Sequence, residues 1–114
     1  ERDVYWAIEH AGLSRFVKEQ PEGIHTEILP EGKYLSTLIG KRILLARAIV
    51  KKPQVLILKE PLELFDPEEA NRILEFLVDP EHKWSILVAS QNPVWEKVCD
   101  KVVLLEKRGD KLKF

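Results

Sequence analysis

Apolar residues recur at helical spacing near the start of the chain. Val4, Ala7, Ile8 and Ala11 fall on one face of a helix, with Asp3 as the capping residue before them and Gly12 as the stop after them. Ser14 starts a second short helix through Phe16 and Val17 that ends near Pro21. Residues 20–34 contain Pro21, Gly23, Pro30 and Gly32 and read as a loop. Ser36 caps a longer helix running to about Lys52. Its apolar stripe includes Leu38, Ile39, Ile43, Ala46, Ile49 and Val50. Lys51 and Lys52 suit the negative end of the helix dipole, and Pro53 breaks the helix.

Beyond Pro53 the period changes. Val55-Leu56-Ile57-Leu58 is an unbroken apolar run, the pattern of a strand buried on both faces. Asp66-Pro67-Glu68-Glu69 is a helix start: a capping Asp, Pro at the first helical position, then acid in the first turn. That helix turns Ala70, Ile73, Leu74 and Leu77 inward and stops near Asp79-Pro80. Trp84–Ala89 reads as a second buried-type strand. A short helix over Val94–Val98 and a third strand over Val102–Leu105 follow. Arg108-Gly109-Asp110 turns the chain into a last short strand. Helices first, then β-α-β-α-β, predict an α/β fold: a mostly parallel sheet with a helical appendage.

Composition narrows the choice. The 114 residues make one domain at most, given ~100–200 residues per domain. With 45% apolar and 32% charged residues, a packed core is expected and disorder is not. The net charge of −1 and the lack of a basic block argue against nucleic acid as a partner. No apolar run approaches a membrane span. The single Cys99 forms no internal disulfide and reads as a small core residue. His10, His25 and His82 are far apart, without ligand spacing, so no metal site is expected from them. Trp84 and Trp95 read as packing residues. The chain has no methionine, so it is expected to be a piece of something longer.

In open parallel sheets, ligands bind beyond the carboxyl ends of the strands. Those ends hold Lys59-Glu60 and Ser90-Gln91, with Asp66 further along the first loop. An apolar strand ending in an acid is how a nucleotide hydrolase places a metal ligand and a general base. A polar residue ending the adjacent strand can orient the attacked phosphate. Taken alone, solubility is the commoner reason for polar strand ends.

Order and spacing point further. The run Leu35-Ser36-Thr37-Leu38-Ile39-Gly40-Lys41-Arg42-Ile43-Leu44-Leu45-Ala46-Arg47-Ala48-Ile49 resembles, without a gap, the signature region of ABC nucleotide-binding domains (LSGGQ, a basic stretch, then LARA). Leu58-Lys59-Glu60-Pro61 is similar to the Walker B LLDEP, and Leu62–Pro67 resembles the D-loop. Val88-Ala89-Ser90-Gln91 sits where the family has its switch histidine, and Val102–Glu106 with Gly109 resembles the closing strand and turn. Gly23–Gly32 looks like the segment that exporter-type members place before the signature.

The resemblance implies a partial P-loop NTPase core of RecA-like type plus an ABC helical subdomain. Residues 1–52 would belong to the helical subdomain and 53–114 to the second half of the catalytic core. The family binds ATP and Mg²⁺ between two domains packed head to tail, and couples them to a membrane-spanning domain from the cytoplasmic side. By residue, it implies nucleotide contact from Ser36, Thr37 and Leu38, a general-base position at Glu60, a switch position at Gln91 and a D-loop acid at Asp66. Contact with the membrane domain would fall on Thr26, Glu27, Ile28, Leu29, Pro30, Glu31 and Gly32, although Leu29, Pro30 and Glu31 depart from the usual G-E-R. No G-x-x-x-x-G-K-[ST] loop occurs, so the main phosphate cradle is absent from this chain. In the family's core the strand bearing that loop lies in the same sheet, so a raw edge open to self-association is also expected.

The departures fall on chemistry. Thr37 and Leu38 replace the signature glycines, whose backbone N–H groups close on a phosphate. Ile39 replaces the signature glutamine. Lys59 stands where the family has the Walker B aspartate. A cation ~4 Å from a divalent ion would repel it by ~8 kcal/mol at effective dielectric 20. Gln91 replaces the switch histidine and cannot carry its charge. These substitutions predict a catalytically degenerate site. The alternatives are a non-catalytic scaffold built on the same fold and a soluble ABC ATPase that does not transport.

Overall fold

A computed structural model describes residues 2–27, 36–108 and 111–113. Two helices, α1 (Arg2–His10) and α2 (Ser14–Glu19), precede a 3-10 turn at Gly23–His25 and the long α3 (Thr37–Ile49). Then come β1 (Val55–Lys59), α4 (Pro67–Val78), β2 (Ser85–Ala89), α5 (Val94–Val98) and a hairpin of β3 (Glu106–Arg108) and β4 (Lys111–Lys113). β1 and β2 pair in parallel, Val55 opposite Ser85 and Lys59 opposite Ala89. β3 and β4 are antiparallel. The α/β fold with a parallel sheet and a helical part is therefore observed.

Local signals set several boundaries. Ser36 caps α3, its side chain accepting from the Ile39 N–H at 3.1 Å. Asp66 caps α4, accepting from the Glu69 N–H at 2.8 Å, with Pro67 at the first helical position. Gly12 ends α1 at φ +75°. Its N–H bonds the Glu9 carbonyl and the Leu13 N–H bonds the Ile8 carbonyl, a Schellman closure. Asp3, expected as a cap, lies instead in the first turn of α1 and pairs with Lys52 at 3.2 Å. Lys52 has left α3 and sits at φ +46°, its ammonium 4.9 Å from the Trp6 ring. The helix ends at Ile49, short of the expected Lys52.

One buried cluster joins both halves of the chain. Ala7, Ala11, Leu13, Leu45 and Ile49 pack with Leu56, Leu58, Ile73, Leu74, Leu77 and Trp95. Each fully buried leucine or isoleucine contributes about 1.5–3 kcal/mol. Trp84 packs beside this core and donates its indole N–H to the Leu77 carbonyl at 2.9 Å.

Two expectations need correction. β1 is buried on one face only: Leu56 and Leu58 face the helices, while Val55 and Ile57 are exposed. The helices cover one side of the two-stranded sheet, and among the described residues nothing covers the other. Val102–Leu105 is not a strand, and all four side chains are exposed. An apolar run becomes a strand only where a neighbour pairs its backbone, and the sheet ends at β2. His10 and His82, far apart in sequence, meet in the fold. They flank Phe76, at ring separations of 4.3 and 4.6 Å, in a cluster with Trp6 and Trp84. Cys99 is half-buried at the end of α5.

Candidate functional site at the ends of the parallel strands

The carboxyl ends of β1 and β2 bring Glu60 and Gln91 together. The Glu60 N–H extends the ladder by donating to the Ala89 carbonyl at 2.9 Å. The residue then takes φ +43°, a left-handed conformation uncommon for a side chain with a Cβ. From there its Oε1 accepts the Gln91 N–H at 2.8 Å. A hydrogen bond from the Ser90 side chain, then that N–H, hold the Glu60 carboxyl below the usual carboxylate range. Partial burial opposes them, and the charges of Lys41 and Lys59 add to them. Lys41 lies on α3, so the helix with the signature-like run projects charge onto this corner.

Lys59 ends β1 with its side chain exposed. Ser36 and Thr37 are exposed at the start of α3, and Leu38 is half-buried there. The hydrogen bond of Ser36 goes to its own helix. Asp66 is likewise engaged as a cap. Thr26 donates its hydroxyl to the Gly23 carbonyl at 2.6 Å, and Glu27 is exposed. Ile28, Leu29, Pro30, Glu31 and Gly32 lie outside the described residues.

Sequence reading missed a second constellation. Arg42 of α3 makes a bidentate pair with Glu69 of α4, one arm at 2.9 Å. The same guanidinium donates to the Ala11 carbonyl at 3.4 Å and lies 5.0 Å from the Phe65 ring. Arg72 adds a longer contact to Glu69 at 3.4 Å. The Arg42 bond is the main reason that the Glu69 carboxyl sits below its usual range; burial works against it. A signal was present. Arg42 sits among Ile39, Ile43 and Ala46 on α3, and Glu69 lies one turn before Ile73 on α4. Opposite charges on two inward-facing stripes must pair or pay desolvation.

These donors do not suit a magnesium ion. Among the described residues no group of three or more acidic, His or Cys side chains could hold a metal. Lys59 places a cation at the strand end, and Glu60 already accepts hydrogen bonds. What the corner offers is a fixed, weakly basic carboxylate, an exposed primary amide and two ammonium groups.

No protein-family model matches the chain. Individual relatives do. The chain is 29% identical over 109 residues to an uncharacterized ABC transporter ATP-binding protein, YwjA, of Bacillus subtilis (strain 168), covering 96% of this chain and 19% of that protein. It is 31% identical over 116 aligned positions to the methionine import ATP-binding protein MetN 2 of Bacillus thuringiensis subsp. konkukian (strain 97-27), covering 92% of this chain and 34% of the relative. Its fold matches a bacterial Atm1-family ABC exporter with ATP bound, at TM-score 0.67 and 27% identity over 83% of this chain. The chain belongs to the ABC nucleotide-binding domains. It spans 17% of the matched exporter chain. As part of an ABC nucleotide-binding domain, it places the Walker B-like strand in β1 and the switch-like strand in β2, side by side. No helix among the described residues is long and apolar enough to cross a membrane.

Proposed function

We propose that this chain supplies the signature, base and switch positions of an ABC nucleotide-binding domain whose own site binds nucleotide without efficient hydrolysis. Residues 1–52 act as the helical subdomain and 53–114 as the second half of the core. In the whole protein, ATP sits between two such domains, and a membrane-spanning domain on the far side of residues 26–32 carries the transported molecule. The domain then works on the cytoplasmic face of the membrane. Ser36, Thr37 and Leu38 face the partner domain's nucleotide, Asp66 lies at the domain interface, and Gln91 points at the phosphates of its own site.

The observation that carries the reading is the pairing of Glu60 with the Gln91 backbone at adjacent strand ends, where α/β sheets bind their ligands. Degeneracy is supported by Lys59, which supplies a cation where a metal site needs a carboxylate, and by the depressed basicity of Glu60. Calorimetric titration of the full-length protein with ATP, with and without Mg²⁺, tests it. Binding that Mg²⁺ scarcely strengthens, with turnover unchanged by Glu60→Gln, is expected. Turnover lost on Glu60→Gln would refute degeneracy. Absence of binding would favour the scaffold reading, to which Lys59 also lends support.

A further inference from the structure

Three hydrogen bonds order the turn between β2 and α5, one of them from the end of β1. Glu60 Oε1 takes the Gln91 N–H at 2.8 Å. Ser90 Oγ accepts the Asn92 N–H at 2.9 Å. Asn92 Oδ1 then accepts the Val94 N–H at 3.0 Å, the first residue of α5. The left-handed backbone of Glu60, held between its ladder bond to Ala89 and the following Pro61, aims the carboxylate across the strand ends.

We infer that Glu60 acts in this chain as a latch on the turn that carries Gln91. Both the backbone of the switch position and the lead-in to α5 are then set from the end of β1. The charged groups acting on the latch are Lys41 from α3 and Lys59 from β1, and both favour the ionised, closed form. A carboxylate whose lone pairs serve a turn is a poor proton acceptor for an attacking water. The inference deepens the reading of this corner as an eroded nucleotide site, and rests on that reading only for its ligand.

Isotope-labelled chain, titrated with acid and followed by NMR, tests the latch. The Gln91 amide proton should move with the same midpoint as the Glu60 side-chain carboxyl carbon. Glu60→Gln keeps an acceptor but loses the charge, so the Gln91 amide should stop titrating while its hydrogen exchange stays within about threefold of wild type. Glu60→Ala should speed that exchange about tenfold or more. A Gln91 amide that ignores Glu60, or keeps titrating in Glu60→Gln, overturns the latch. Mg-ATP titration of the full-length protein separates the two readings: failure to bind sinks the nucleotide reading and leaves the latch standing.

Discussion

Glu69 and Glu60 are both carboxylates held below their usual range by donors distant in sequence, 27 residues away for one and 31 for the other. Their surroundings differ. Glu69 meets a guanidinium between packed helices, with side-chain exposures of 24% for the acid and 12% for Arg42. Glu60 meets a backbone N–H at the open ends of two strands. Breaking the first leaves a carboxylate in a helix junction with only the longer Arg72 contact. Breaking the second leaves an amide that water can satisfy. The same chemical act therefore contributes stability in one place and local geometry in the other.

The largest effect should come from Arg42→Ala. It leaves Glu69 with only the longer Arg72 contact and removes the bond to the Ala11 carbonyl, so denaturant unfolding should show a loss of about 2–4 kcal/mol. A change at Glu60 of similar size in global unfolding would erase the contrast. Gly12→Ala should follow, at about 1–3 kcal/mol by the same measurement. The backbone there is left-handed, and an added Cβ would lie 2.1 Å from the Arg42 Nη1, pushing the guanidinium off its partner.

Acid sharpens the comparison. The folded Glu69 carboxyl titrates below its ordinary value of 4.5. Its stabilisation is therefore complete above that value and is lost as pH falls through the lower, folded one. Across that window Tm should fall with decreasing pH in wild type, and fall less in Glu69→Gln. Asp66→Ala removes one cap bond and should cost about 1 kcal/mol in chemical denaturation. Smallest is Arg15→Ala, which breaks an ion pair exposed at 92% and 60%. Its effect should stay within about 0.5 kcal/mol.

Much of the fold was legible because its signals are local. Ser36 and Asp66 each bond a backbone N–H three residues on, so their roles are written within a single turn. Gly12 likewise announces a helix end. The candidate corner was legible too, since motif order placed Glu60 and Gln91 at neighbouring strand ends. The remainder depended on partners far along the chain. Nothing near Arg42 names Glu69, and nothing near His10 names Phe76. Val102–Leu105 has the composition of a strand, but composition cannot supply a neighbour. The exposed row of Val55 and Ile57 has the same origin. An unbroken apolar run reports what a strand can bury, and the surrounding elements decide what it does bury.

The Arg42 guanidinium touches the end of α1, the ring of Phe65 and the first turn of α4, all from one position on α3. Three anchors fix a body against rotation as well as translation. In mechanical terms the junction is a pin, and motion between α3 and α4 would have to shear that pin first.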